Sequence, residues 1–166
     1  MSKNQPSPVL YIPHGGGPLP LLADAGHREL TGFLQAAARL FETPQAILVI
    51  SAHWEEPAFT VQSAAQPDLL YDYSGFPAET YELQYPAAGA PALARRIVGL
   101  LQDARIDAGM DSTRGFDHGV FVPLTLMYPD AQIPCLQLSL RRDLDPAAHI
   151  AMGNALSALR EENVLI

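Results

Sequence analysis

Two histidines, His14 and His53, each follow a short apolar run, and a predicted helix separates the two runs. The first run covers residues 9–12 and leads through Pro13 into a glycine-rich segment, whereas the second covers residues 46–50. If both runs are parallel strands of one sheet, the crossover between them brings their carboxyl ends to the same edge. Ligands bind at that edge in open α/β sheets. Two imidazoles that converge there would form half of a metal site.

The residues around each histidine add to the case for a ligand site. Three glycines, residues 15–17, follow His14, and glycine lets the backbone approach a ligand closely because it tolerates positive φ. Near His53 in the sequence, Ser51 provides a polar side chain and Trp54 an aromatic one. Each histidine also has a simpler interpretation, a tight turn after His14 and a turn-bound structural residue at His53. The βαβ geometry predicts that the two rings meet, which places the metal site on an equal footing with these simpler interpretations.

A third histidine, His118, precedes a short apolar segment that we predict to be a helix over residues 120–128. The positive end of a helix dipole disfavours an imidazolium, so a histidine there tends to stay neutral near pH 7. A neutral imidazole accepts a proton, which is what a general base needs. The alternative is a capping residue that works with Asp117. His27 and His149 fall in predicted helices, and the sequence suggests no chemical role for either.

A non-haem iron oxygenase needs a third ligand besides two histidines, with coordination positions left open for substrate and oxygen. Four carboxylates lie near the predicted site in the sequence, Glu55, Glu56, Asp72 and Asp117. None has a position that compels assignment as a ligand, and each is better explained as a solvated side chain or a turn cap. The sequence therefore indicates two ligands and leaves the third unassigned.

The glycine-rich segment also suggests two rival chemistries. Residues 14–17 read His-Gly-Gly-Gly, which matches the oxyanion-hole motif of lipases and esterases. That chemistry requires a Gly-x-Ser-x-Gly elbow, and no serine of the sequence has a glycine two positions away on both sides. A phosphate-binding loop requires Gly-Lys-Ser/Thr after the glycines, which is also absent. The sequence therefore disfavours both a serine hydrolase and a phosphate-binding-loop protein.

Composition narrows the class of protein further. At 166 residues, with 48% hydrophobic and 17% charged residues, we expect a single folded domain over residues 1–166. The formal charge of −8 argues against a nucleic-acid partner and against an anionic membrane surface. No signal-peptide pattern begins the sequence, and no apolar run reaches the ~20 residues of a membrane span, so we expect a cytoplasmic protein. The single cysteine, Cys135, is predicted to be a buried apolar side chain.

The pattern of apolar residues predicts an α/β fold, a mainly parallel or mixed sheet flanked by helices. Strands that are apolar throughout indicate a sheet covered on both faces. Strands are predicted over residues 9–12, 46–50, 59–62, 133–140 and 164–166, and helices over residues 20–41, 92–101, 120–128 and 146–162. A long connection with several aromatic residues covers residues 64–90. Because a further strand would open at 164–166, we expect the sheet to be incomplete at the C-terminus.

Four segments together resemble one known family. They read His-Gly-Gly-Gly-Pro, Ser-Ala-His-Trp, Tyr-Pro-Ala-Ala-Gly and Gly-Phe-Asp-His-Gly, at residues 14–18, 51–54, 85–89 and 115–119. Their order and spacing resemble the class III extradiol ring-cleavage dioxygenases, and within them the 4,5-DOPA dioxygenase type. The similarity runs from about residue 9 to the end of the sequence.

The resemblance implies a role for each histidine. In that family the first two histidines bind a divalent metal, iron(II) for ring cleavage and zinc in some members, which makes His14 and His53 metal ligands. The histidine of the Asp-His-Gly segment is the acid–base residue, which gives His118 that role. The partners implied are a small aromatic diol and O2. The aromatic segment 71–85 could then form a wall of the substrate pocket, and a surface loop anchored by its tyrosines explains the segment equally well.

The resemblance also implies that the sequence is the N-terminal part of a longer enzyme. Family members carry a further metal-site histidine after a Ser/Gly-rich turn, beyond the point matched by residue 166. Two alternatives from other classes stay open. One is a non-catalytic truncated form or binding module without a complete metal site, and the other is a metal-assisted hydrolase that uses the same ligands.

Overall fold

The computed structural model describes residues 6–166 and is built on one five-stranded sheet of order β3-β2-β4-β1-β5. The strands are β1 (Ala46–Glu56), β2 (Phe59–Gln62), β3 (Ala108–Asp111), β4 (Cys135–Arg141) and β5 (Val164–Leu165). The α-helices are α1 (Arg28–Ala37), α2 (Pro91–Asp103), α3 (His118–Met127) and α4 (Pro146–Leu156). Short 3-10 helices cover Leu19–Leu22, Ala25–His27, Ala78–Tyr81 and Ser157–Glu162.

The sheet is mixed, and its central pair is parallel. β1 pairs in parallel with both β4 and β5, and β2 pairs in parallel with β3. The parallel strands β4, β1 and β5 join the parallel pair β2 and β3 through an antiparallel contact between Val61 of β2 and Leu138 of β4. The predicted α/β class with a mixed, helix-flanked sheet is confirmed.

Both faces of the sheet are apolar because each carries its own core. Ile47 and Cys135 pack with Phe121 of α3 on one face, whereas Leu48 and Leu136 pack on the other. The second core also contains apolar side chains of α2 and α4, namely Ala94, Ile97, Leu101, Met152 and Leu156. This double coverage explains why the strands are apolar throughout. Burial raises the pKa of the Cys135 thiol to about 12, so this cysteine is the buried apolar residue that was predicted.

The first predicted strand is wrong. Residues 9–12 form no strand, although the backbone N–H of Leu10 donates to the carbonyl of Ile166 at 2.8 Å. β5, which ends just before Ile166, is itself only two residues long and pairs with β1. The segment therefore lies beside the sheet without a ladder of hydrogen bonds.

Other element boundaries differ from the prediction for local reasons. The helix predicted over 20–41 is interrupted at Ala23, whose φ of 56° is left-handed, so only Arg28–Ala37 is α-helical. β1 continues to Glu56, with a shift in its register against β4 between Ile50 and Glu55. β3 was not predicted, because its sequence Ala-Gly-Met-Asp contains residues that are depleted in strands. Among residues 6–166, no helix is both long and apolar enough to cross a membrane.

The segment at residues 85–89 joins the long connection to the core. Tyr85 is buried, and its hydroxyl donates to the carbonyl of Tyr128 at 3.2 Å. The carbonyl of Ala88 accepts from the N–H of Cys135 at 2.8 Å, which fixes the segment to the start of β4. At Gly89, a Cβ would lie 1.9 Å from the carbonyl oxygen of Ala64.

We expect Gly89→Ala to destabilise the protein by about 3 kcal/mol, the upper part of the range for overpacking, because backbone must move to admit the methyl group. The matched control is Gly99→Ala in α2, where nothing lies within 4 Å of an added Cβ. This control should be neutral or stabilising by up to about 1 kcal/mol, since alanine favours helix. Urea unfolding followed by circular dichroism measures both variants. Equal stability of the two variants would contradict the close approach at Gly89.

Candidate metal centre

Three histidines from different parts of the chain meet at one place. The Nε2 atoms of His14 and His53 are 2.9 Å apart, and one ring nitrogen from each of His14, His53 and His118 lies within 4.8 Å of the others. Their ring centroids are separated by 4.8, 4.8 and 4.0 Å. The structure thus brings together every residue that the sequence analysis proposed for the site.

The glycine-rich loop positions His14. Gly15 and Gly17 have φ values of 79° and 55°, which favour glycine. At Gly15, a Cβ would lie 2.6 Å from the ring of His27, so the loop lies directly against that histidine. The N–H of Gly16 donates to Nε2 of His27 at 3.0 Å, and Nδ1 of His27 lies 2.7 Å from a carboxylate oxygen of Asp24.

His27 therefore has a structural function that its predicted place in a continuous helix does not suggest. It ends the short 3-10 helix Ala25–His27, and its two ring nitrogens connect the loop after His14 to Asp24. His149 lies in α4 as predicted and makes its hydrogen bonds elsewhere, with the carbonyl of Asp145 and the N–H of Arg141.

A buried charge network holds the backbone of His53. Asp117 is completely buried and accepts from the hydroxyl of Ser51 at 2.7 Å and from the guanidinium of Arg114 at 3.0 Å. The Ser51 hydroxyl in turn accepts the N–H of His53 at 3.2 Å, and Arg114 donates to the His53 carbonyl at 3.3 Å. The guanidinium also lies 5.1 Å from the centre of the Trp54 ring, a cation–π contact.

His118 is the first residue of α3, and a carboxylate from the long connection contacts it twice. Oδ1 of Asp72 accepts the backbone N–H of His118 at 3.0 Å and lies 2.7 Å from its Nδ1. Asp117, at the preceding position, makes no side-chain capping hydrogen bond because its carboxylate is engaged with Ser51 and Arg114. The alternative in which His118 and Asp117 cap the helix together is therefore wrong, and Asp72 caps it instead.

Of the four carboxylates considered from the sequence, two contact the site. Asp72 bonds to His118, and its other oxygen lies 3.9 Å from Nδ1 of His53. Asp117 supports the backbone around His53, as described above. Glu56 accepts from the indole N–H of Trp54 at 2.9 Å. No local pattern distinguishes Asp72 in the sequence, because its partner lies 46 residues away.

The electrostatics of the cluster favour a neutral imidazole at His14. Burial lowers the pKa of His14, and the adjacent charges of His118 and His53 lower it further. Partial burial works against ionisation of Asp72, but hydrogen bonds from the ring and backbone of His118 outweigh it, so the pKa of this carboxyl is lowered. A neutral imidazole is the form of histidine that binds metals.

An aromatic wall lies next to His118. It consists of edge-packed rings that include Tyr71, Tyr73, Phe76, Tyr81 and Phe121. The Tyr73 ring is 5.9 Å from the His118 ring, and Phe76 lies against Gly17 of the loop that carries His14. The hydroxyls of Tyr71 and Tyr73 donate to backbone carbonyls of Leu83 and Thr80, each at 2.6 Å. The wall therefore presents ring carbons next to the cluster.

The spacing of the ring nitrogens fits a divalent transition metal. At metal–nitrogen distances of about 2.0–2.1 Å, two ligands at 90–110° are separated by roughly 2.9–3.4 Å. The 2.9 Å between Nε2 of His14 and Nε2 of His53 lies at the short end of this range. Imidazole nitrogens suit iron and zinc alike.

The fold and the site define an α/β protein with a cluster of histidines able to hold a metal. The chain belongs to the family described as the catalytic LigB subunit of aromatic ring-opening dioxygenase, whose family model matches residues 9–166. It is 46% identical over 168 residues to a protein named dioxygenase tasH from Hapsidospora irregularis, covering 96% of this chain and 52% of that protein.

Two further relatives carry extradiol dioxygenase names, and one solved structure shares the fold. Proteins named 4,5-DOPA dioxygenase extradiol from Beta vulgaris and Escherichia coli (strain K12) are 42% and 41% identical, covering 95% and 96% of this chain. The crystal structure of uncharacterized protein JW3007 from Escherichia coli K12 matches with a TM-score of 0.66 and 40% identity, covering 81% of this chain and 50% of that one. The chain spans 52–59% of the length of these three curated relatives.

Gly119, the second residue of α3, controls how closely the helix approaches β1. A Cβ there would lie 2.9 Å from both the His53 ring and the Ser51 hydroxyl, and 3.1 Å from the Asp117 carboxylate. We expect Gly119→Ala to displace His53 and weaken Zn²⁺ binding by about 10–100-fold, the usual effect of disturbing groups that orient metal ligands. Calorimetric titration of the metal-free chain measures this.

The control for Gly119→Ala is Gly153→Ala in α4, where nothing lies within 4 Å of an added Cβ. Its zinc affinity should match that of the unsubstituted chain. Circular dichroism of both variants shows whether the helices are intact. Unchanged zinc affinity in folded Gly119→Ala would mean that the position of the His53 ring does not govern metal binding.

Proposed function

We propose that this chain supplies the metal and acid–base residues of an extradiol dioxygenase that opens the aromatic ring of a catechol-type, DOPA-like diol with O2. The observation that carries the proposal is the cluster of three histidines beside an aromatic wall, in a member of an aromatic ring-opening dioxygenase family. In this proposal His14 and His53 hold the metal, and His118 moves the proton.

The metal proposed is iron(II). Iron, when bound, supplies the redox chemistry by which O2 attacks a diol, whereas zinc has no redox chemistry of its own. His14 and His53 suit the role of ligands because their Nε2 atoms already converge and because burial keeps His14 neutral. The glycine-rich loop and the network around Asp117 hold the two rings in place.

His118 is proposed to hold and return the substrate proton. Its Nδ1 is engaged with Asp72, which leaves Nε2 as the nitrogen free for chemistry. Nε2 can accept a proton from a hydroxyl of the diol and later return it to the product as the ring opens. The residue His118 is 7% exposed, so the proton transfer at its ring would be shielded from bulk water.

The aromatic wall is proposed to bind the ring of the substrate. Because the hydroxyls of Tyr71 and Tyr73 are engaged with backbone carbonyls, the wall offers apolar surface and edge-to-face contacts. Burial raises the pKa of Tyr73, so its phenol stays neutral and does not compete with His118 for the substrate proton. Such a surface selects a flat aromatic substrate.

Substituting the histidines separates the two proposed roles. We expect His14→Ala and His53→Ala to abolish stoichiometric iron binding and ring opening together. His118→Ala should keep iron affinity within about threefold while kcat falls by about 10²–10⁴-fold, the size of a lost acid–base group. Anaerobic iron titration, O2 uptake and absorbance of the ring-opened semialdehyde measure these quantities.

The control is His149→Gln, whose hydrogen bonds lie outside the cluster and whose turnover should not change. Loss of iron in His118→Ala would show that His118 is a ligand and would contradict its acid–base role. Stoichiometric iron without O2 uptake on any catechol would overturn the dioxygenase proposal in favour of a non-catalytic metal-binding chain.

A change in the aromatic wall tests the substrate class. We expect Tyr73→Leu to raise KM for a catechol by about threefold to tenfold, because an aromatic contact is worth about 0.5–1.5 kcal/mol beyond burial, with a smaller effect on kcat. The control is Tyr11→Leu, since the Tyr11 side chain is fully exposed. Steady-state kinetics measures both variants. An unchanged KM in Tyr73→Leu would remove the aromatic wall from the binding site.

A further inference from the structure

We propose that Asp72 is a positioning residue, which fixes the tautomer of His118 and so determines that Nε2 is the nitrogen that does the chemistry. The hydrogen-bond geometry carries the tautomer assignment by itself. Its importance for turnover rests on the function proposed above.

One carboxylate oxygen receives both contacts from His118. Oδ1 of Asp72 accepts the backbone N–H at 3.0 Å and lies 2.7 Å from ring Nδ1. An ionised carboxylate has only acceptor sites, so the ring nitrogen facing it must carry the proton. In a neutral ring this places the hydrogen on Nδ1 and the lone pair on Nε2. The backbone contact fixes Oδ1 relative to the helix start, so the ring cannot turn without losing its partner.

This arrangement distinguishes His118 from the other two histidines. Oδ2 of Asp72 is 3.9 Å from Nδ1 of His53, too far for a hydrogen bond. His14 and His53 approach each other through Nε2 and have no carboxylate within hydrogen-bond distance among the described residues. The pair formed by His118 and Asp72 is also shielded, with side chains 9% and 21% exposed. Its electrostatic contribution is therefore less screened by water than that of a surface pair.

The chain around Asp72 is braced, which gives the carboxylate a defined position. On either side of it, the hydroxyls of Tyr71 and Tyr73 are tied to backbone carbonyls. The N–H of Leu70 donates to the carbonyl of Phe116 at 2.7 Å, and the N–H of Phe116 donates to the carbonyl of Asp68 at 2.8 Å. These backbone bonds join the long connection to the segment just before α3. The long connection therefore holds Asp72 next to His118 at the start of α3.

The test is nitrogen NMR of the imidazole rings in the metal-free chain, at a pH where the rings are neutral. In the unsubstituted chain we expect His118 to show a protonated Nδ1 and an unprotonated Nε2. In Asp72→Ala, which has no acceptor, the proton should move to Nε2, the position that free histidine prefers. Asp72→Asn keeps one oxygen that can accept from Nδ1, so it should retain the original tautomer. Asp68→Ala is the control, because Asp68 is exposed and only its backbone contacts the segment before α3.

Turnover supplies the second readout. With iron bound, Asp72→Ala should lower kcat by about 10–100-fold with KM within twofold, as expected when a group that orients a site histidine is lost. Asp72→Asn should recover part of that loss.

If Asp72→Ala does not fold, the unsubstituted chain still decides the matter, because a proton on Nε2 of His118 there overturns the proposal. An unchanged tautomer in folded Asp72→Ala overturns it equally. A tautomer shift in a chain that opens no catechol leaves the assignment standing and refutes the dioxygenase function alone.

Discussion

A carboxylate that is completely removed from water needs hydrogen-bond donors. Asp117 has two such donors, which belong to different segments of the chain around the site. The cost of burying such a charge is several kcal/mol unless it is paired and hydrogen-bonded. Ser51 supplies a hydroxyl from β1, and Arg114 supplies a guanidinium from the segment before α3. Ser51 precedes His53 by two positions, and Asp117 directly precedes His118. Satisfying one buried charge therefore joins the strand that carries one site histidine to the helix that carries another.

Close approach of backbone segments is the second requirement, and glycine meets it. At Gly119 a methyl group would occupy space that the His53 ring and the Ser51 hydroxyl already use. At Gly15 it would occupy the space of His27, which braces the loop after His14. The charge network and the glycines thus act together, because the network draws the elements inward and the glycines allow the contact.

The sequence could predict where two of the clustered histidines lie because they belong to strongly patterned elements. His53 lies in β1, just beyond its apolar run, and His118 opens α3. The run before His14, in contrast, forms no strand. The parts that could not be predicted depend on distant contacts. Asp72 lies in a connection without periodicity, and its partner is 46 residues away. The run at 9–12 is as apolar as a strand, yet whether it forms one depends on a neighbouring strand and not on its own residues.

The helix predicted over residues 20–41 illustrates the opposite error, in which a good local pattern is overridden. A left-handed residue at Ala23 ends the first helical turn, and the 3-10 turn that follows places the His27 ring against Gly16. In a continuous helix over residues 20–41, nothing in the local pattern would direct the His27 ring toward the N–H of Gly16. The interruption therefore serves the site, since it lets His27 and Asp24 support the loop that positions His14.

The three imidazoles lie close together, and this restricts what the cluster can do. Burial and the adjacent charges of His118 and His53 lower the pKa of His14, which favours the neutral form that binds a cation. His118 differs because the Asp72 carboxylate contacts both its backbone N–H and its ring Nδ1. In the proposed division of roles, the Asp72 carboxylate orients the ring that moves the proton. His14 and His53 instead present Nε2 atoms 2.9 Å apart, which could share a metal. The proposal therefore depends on where the chain places a single carboxylate.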